Sequence, residues 1–586
     1  MLKLKYISQI VLLMVLLTGC DAYLDKIDVS NIGEEDVFGS YRDFQGFEDQ
    51  MYPLVTPYLT RSITASLNWG DDVLNNRGFP PSGAVDDGNY WYFWNNGLQN
   101  LLRKNDGNGL WQNSWKGIRI ANICLKQLDD GFPKDATGEQ LAQLRGQALF
   151  FRAFFHWELI RFYGGMPYIE VALDPSDDMR FPRLRYAETT QRLIQDLDEA
   201  AGLLPADWNA TALGALFSGG TQGRATKGAA LALKAKALLY AASPLMNNEM
   251  GNGYTFNTDL ATQAAEAAAE VIQLAEQGVY RLLAWSEYSD NFYRNDGTYL
   301  WSDEVVWDAI QPSQGKSQMS VFHGRVFNAA RWEGNAVMEA PTANYVELFE
   351  MDNGLPIDDP ASGYDANDPW TNRDPRFYYN LLLDGTQWAD GAQNPDDNIV
   401  HLYKGGRDTG NNGSLTGYML KKYWPRGVNK YDQNWNNFRL TQPHIRLAEV
   451  YLIYAEAANE VAGPNTPVGG TSLTALEAIN IVRARAGQID VPAAYSGSAE
   501  AFRERIWNER AVELAFEGSR WFDIRRWHVA HQQEYKELYA LEYDQDQTSF
   551  TKVLVKERVF EDKHYWIPIE RSQTQLFEGF NQNPGW

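Results

Sequence analysis

Apolar residues recur at intervals of three and four along several stretches of this chain, and the stretches come in couples. Residues 146–164 (GQALFFRAFFHWELIRFYG) are followed by 189–205 (TTQRLIQDLDEAAGLLP), 227–243 by 260–278, and 444–463 by 472–487. That spacing puts one apolar face on each segment, and Gly or Pro closes most of the ends. With 109–128 and 499–518 the chain carries about eight helices, in about four pairs whose period near 34 residues is broken by insertions. The abundant Ala lets neighbouring helices approach closely, as in stacked helical hairpins. The expected fold is mainly α, a tetratricopeptide-like helical-hairpin scaffold.

Between the second and third pairs, over residues 279–443, the periodicity gives way to Asn, Asp, Gly, Pro and Trp. Short β-leaning runs at Glu304–Trp307 and Tyr418–Leu420 predict small hairpins there. Residues 67–96 (LNWGDDVLNNRGFPPSGAVDDGNYWYFWNN) have the same irregular character. Long irregular segments are functional or disordered, and so many aromatics argue against disorder. The chain divides into a leader (1–19), an N-terminal part with helical scaffold and the 67–96 loop (20–278), an irregular insertion lobe (279–443) and a C-terminal scaffold and tail (444–586).

The leader has Lys3 and Lys5, an apolar run from Ile10 to Leu17 and the ending Leu17-Thr18-Gly19-Cys20. The run is too short for a membrane span and reads as a signal peptide. Its ending resembles a bacterial lipobox, which implies acylation of Cys20 and anchoring to a membrane surface. Cys124 is the only other cysteine and falls in a helical pattern, so an inert core thiol is expected. The formal charge of −24 and the lack of a basic stripe exclude a nucleic-acid partner.

Signatures of catalysis and metal binding are missing: no HExxH, CxxC, EF-hand loop, Walker A loop or G-x-S-x-G elbow occurs. No cofactor and no metal ligand set is expected. The densest charge cluster is NERAVELAFEGSRWFDIRRWH, residues 508–528. On a helix Arg510, Glu513 and Glu517 share one face, and Gly518 is placed to end that helix. Carboxylates among arginines have lowered pKa values, which makes them poor general acids. The segment therefore reads as an ion-pair and aromatic clamp, and no catalytic residue is expected.

The same segment resembles the signature helix of the SusD/RagB outer-membrane lipoproteins. So do CDAYLDKI after the leader, LRGQALFFRAFFHWELIRFYGGMPYI, RLAEVYLIYAEAANE and the ending YWIPIERSQTQLFEGFNQNPGW, all in the family's order. The resemblance implies a surface-exposed, lipid-anchored protein of the outer membrane. It further implies four helix pairs with an irregular lobe, acting as a lid on a SusC-like TonB-dependent transporter, to which it delivers oligosaccharides without being an enzyme. Sugar rings stack on Trp and Tyr, and their hydroxyls pair with Asp, Asn and Arg. By the resemblance the foremost ligand-binding candidates are Trp69, Asp72, Arg77, Trp91 and Trp94, before the helix that carries Trp111 and Trp115; Tyr293, Trp301, Phe322, Arg331 and Trp332 come second. The alternatives are peptide capture, as the RagB branch implies, and a surface glycoside hydrolase.

Overall fold

The computed structural model describes residues 34–58, 67–75, 80–94, 102, 109–216, 221–296, 298, 300–309, 339–410, 413–434 and 438–586. The leader, Cys20, Arg77, Phe322, Arg331 and Trp332 lie outside the described residues. Eight long helices form the scaffold: α1 (Leu110–Asp129), α2 (Gly138–Tyr163), α3 (Tyr186–Leu203), α4 (Lys227–Ala242), α5 (Thr258–Glu276), α6 (Leu447–Ala462), α7 (Ala475–Arg485) and α8 (Ala499–Glu513). A short helix, α9 (Arg520–Arg526), follows. Among the described residues no helix is long and apolar enough to cross a membrane.

Local chemistry sets the helix ends. Thr137 and Gln140 form a reciprocal capping box at the start of α2: the Thr137 hydroxyl accepts from the Gln140 amide at 3.2 Å, and the Thr137 amide donates to Gln140 Oε1 at 2.9 Å. The helix stops where Gly164 takes φ 78°, as the Gly-Gly-x-Pro run predicts. From Gln143 to Tyr163 nearly every residue of α2 is buried, so this helix is the spine of the stack. Gly117 of α1 shows how close the packing is, because a Cβ there would lie 2.1 Å from Cε2 of Phe155.

The helices stack in series, α1 on α2 and so on to α6, with α7 and α8 both resting on α6. The couples marked by the sequence are therefore part of one continuous stack. In particular α5 packs on α6 across the whole insertion, so two helices 170 residues apart behave as neighbours. The expected hairpins at Glu304–Trp307 and Tyr418–Leu420 are not local. Val305–Trp307 pairs with Ile445–Arg446, and Met419–Leu420 with Leu381–Leu382. Short strands gain their partners from tertiary packing here, and sequence proximity says little about them. The long hairpin is elsewhere, joining Glu537–Tyr543 to Phe550–Glu557.

The scaffold and the irregular lobe share their interior. One apolar cluster fills the helix stack, and a second mixes lobe residues such as Phe292, Tyr345 and Phe377 with Val512, Ala515 and Phe516 at the end of α8. Between the two runs a buried ionic lattice. Arg446 reaches Glu304 of the lobe at 2.9 Å, Glu513 at 2.7 Å and Glu517 at 2.8 Å. Arg376 of the lobe reaches Glu513 at 3.1 Å, and Lys422 reaches Glu517 at 2.6 Å. Farther along, Arg510 pairs with Asp523 at 3.1 Å, and Arg526 with Glu456 at 2.6 Å. Burial would raise the carboxyl of Glu513, but Arg485, Arg446 and Arg376 outweigh it and hold the group well below the usual carboxylate range. The clamp thus ties α8 not only to α9 but to the lobe. One detail differs from the sequence reading: α8 ends at Glu513, and Gly518, at φ 73°, closes the turn after it, its amide held by Asn68 Oδ1 at 3.1 Å.

Candidate functional site

Three of the foremost candidates are interior residues. The ring of Trp69 is 1% exposed and wedged between Phe93 (5.0 Å between centroids), Trp521 (5.0 Å) and Phe162 (6.0 Å). Trp94 is 7% exposed, with its indole N–H donating to the Pro568 carbonyl at 2.6 Å. Asp72 is fully buried, and its carboxylate accepts no hydrogen bond from the described residues. Burial first, then the neighbouring Asp71 and Glu339, push its pKa up to about 8. The physical reason for the correction is that the rings of Trp69 and Trp94 pack on Phe162 and Tyr163 at the end of α2. Large rings in a polar segment cap the scaffold and are not presented to solvent.

Trp91 and Tyr293 keep part of their surface but are spoken for. The guanidinium of Arg571 sits 4.6 Å above the Trp91 ring, and Trp586 meets its edge. Tyr293 lies in a two-residue strand paired with Arg439–Leu440 and leans on Phe438.

Trp301 is different: its half-buried ring lines an open cleft of about 400 Å³. That is within the roughly 300–1,000 Å³ of small-ligand sites. The walls come from the α3–α4 connection, the turn after α5 and the strand Val305–Trp307. Trp208 forms the back wall, its indole N–H donating to the Ala225 carbonyl at 2.7 Å, and Tyr280 shares a 3.0 Å hydrogen bond with Thr226 beside it. Asn209 and Gln222 are exposed at the opening. Asn209 is oriented by Thr221, whose hydroxyl donates to its side-chain oxygen at 2.9 Å, and by Asp207, which accepts from its Nδ2 at 3.0 Å. The arrangement offers a ring face, amides and carboxylates to one small ligand, with no nucleophile–base pair among the lining residues.

Asn209, Gln222 and Arg224 were missed in the sequence because they lie between two strong helices. A signal existed: residues 204–226 far exceed the two to eight residues that join helices in bundles.

Comparison with known proteins places this architecture. Residues 303–586 match the model described as the SusD family, and residues 71–239 match a second model, described as starch-binding and associating with the outer membrane. The chain belongs to the SusD family. Among SusD-like relatives, protein P2 of Formosa agariphila is 24% identical over 540 residues, covering 89% of this chain and 90% of that one. Protein P25 of the same organism is 24% identical over 447 residues, covering 72% and 70%. A SusD-like protein of Bacteroides fragilis superposes with a TM-score of 0.69 at 22% identity, covering 95% of this chain and 99% of that one. A SusD-like carbohydrate binding protein of the same organism gives 0.64 at 21%, covering 91% and 98%. The mainly α, tetratricopeptide-like scaffold is the SusD fold.

Proposed function

We propose that this SusD-family protein captures oligosaccharides at the cell surface and passes them, chemically unchanged, to a SusC-like TonB-dependent transporter. Cys20 carries the lipid that holds it on the outer membrane. The observation that carries the reading is the Trp301 cleft, where a ring that can stack on a sugar sits among amides and carboxylates that can pair with hydroxyls. A family model described as starch-binding and a structural relative named as a carbohydrate binding protein support it. Binding without chemistry is supported by the acidic cluster of residues 508–528. Glu513, Glu517 and Asp523 are buried and held ionised by Arg and Lys, which unsuits them to donate protons.

The test is calorimetry against a panel of oligosaccharides with the wild type and Trp301→Ala. Loss of the stacking ring is expected to weaken a bound saccharide at least about fivefold, about 1 kcal/mol. The reading fails if nothing in the panel binds, if Trp301→Ala leaves affinity unchanged, or if reducing ends accumulate during incubation.

A further inference from the structure

We infer that the Trp301 cleft selects uncharged saccharides and rejects uronates, and that Asp207 and Asp303 are the residues that impose the choice. The inference rests on the saccharide-binding reading above and adds the chemical class of the ligand.

Among the described residues three charged ones line the cleft: Asp207, Arg224 and Asp303. The single cation is already committed. Arg224 Nη1 and Nη2 donate to the two oxygens of Asp49, each at 2.9 Å, and Nη1 also donates to Gln147 Oε1 at 3.0 Å. A bidentate pair of that kind saturates the guanidinium fork and cancels its charge locally. The two acids are less occupied. Asp207 Oδ1 accepts from the amide and the Nδ2 of Asn209, at 2.8 and 3.0 Å, and Oδ2 accepts nothing from the described residues. Asp303 Oδ2 accepts from Arg281 Nε at 2.9 Å, but Arg281 is shared with Glu287, so that group of three still carries net negative charge. Both aspartates are exposed and line the cleft, so both are accessible to a molecule bound there.

A sugar hydroxyl suits such an oxygen, because it brings a proton to donate. A uronate carboxylate brings only acceptors and a second negative charge, and the described residues that line the cleft include no uncommitted cation to receive it. Like charges at contact distance discriminate strongly between otherwise similar ligands. The wider chain, at −24, adds to the repulsion.

The experiment uses the soluble chain without its leader and Cys20, with neutral gluco-, manno- and galacto-oligosaccharides and the same oligomers after oxidation of their C6 hydroxyls to carboxylates. The wild type is expected to bind a neutral oligomer in a Trp301-dependent way and its oxidised form at least about tenfold more weakly. Asp207→Asn with Asp303→Asn is expected to close most of that gap, read as the ratio of neutral to oxidised affinity, because the amides are uncharged and bring donors that a carboxylate can accept from. In the wild type the gap should also narrow as salt rises. Trp301-dependent binding of the oxidised oligomers as tight as that of the neutral ones overturns the inference while leaving saccharide capture standing. A gap that the double substitution does not change overturns the roles of Asp207 and Asp303. Absence of binding to every oligomer overturns saccharide capture and this inference with it.

Discussion

Replacing Glu513 by Gln tests whether the ionic lattice holds the irregular lobe on the helices. Glu513 has no exposed surface, and it accepts hydrogen bonds from Arg446 at 2.7 Å and Arg376 at 3.1 Å, with Arg485 as a third partner. The amide preserves shape and volume but removes the one charge that three guanidiniums share, and its NH2 group points a donor at other donors. Leaving buried charge uncompensated costs about 3–5 kcal/mol. That corresponds to a shift in the unfolding equilibrium of roughly a hundredfold to several thousandfold. The assay is urea unfolding followed by tryptophan fluorescence; urea is uncharged and does not screen the lattice. Arg180→Ala, which breaks a fully exposed pair with Asp178, is the control and should leave the midpoint unchanged. An E513Q midpoint indistinguishable from that of R180A would show that the lattice contributes nothing to the joint, and the reasoning would be wrong.

Three other outcomes are expected. Trp69→Ala should lower stability by about 3–5 kcal/mol by opening a cavity among Phe93, Phe162 and Trp521, yet leave saccharide affinity unaltered in protein that remains folded, the reverse of Trp301→Ala. Asp72 holds its proton up to about pH 8 in the folded chain but loses it near pH 4 when unfolded, so its contribution is full below pH 4 and is lost as pH rises towards 8. Asp72→Asn cannot titrate; its stability relative to wild type, measured by urea unfolding, should rise by more than about 1 kcal/mol between pH 4 and 8. Gly117→Ala should destabilise by about 1–3 kcal/mol even after the gain in helix propensity, because the new methyl overlaps the Phe155 ring; a higher melting temperature would contradict the close α1–α2 approach.

The scaffold was legible because its determinants are local. A period of three to four, Ala-rich faces, capping residues such as Thr137 and stops such as Gly164 act within a few residues, and the chain displays them in order. The ion-pair character of residues 508–528 was legible for the same reason, since charge type and helical spacing are local. Its partners were not: Arg446, Arg376 and Glu304 come from distant parts of the chain.

Which aromatics are covered and which line a cleft depended on tertiary structure. Trp69, Trp94 and Trp301 sit in similarly polar, irregular stretches, and nothing in the spacing of an irregular segment says which side of a ring will be covered. The helix stack decided it, by covering Trp69 and Trp94 with Phe162 and Tyr163 of α2 and leaving Trp301 at a cleft whose other walls come from a helix connection and a turn far apart in sequence. Helical order is written in neighbouring residues, whereas exposure of a loop side chain is a property of everything that packs around it.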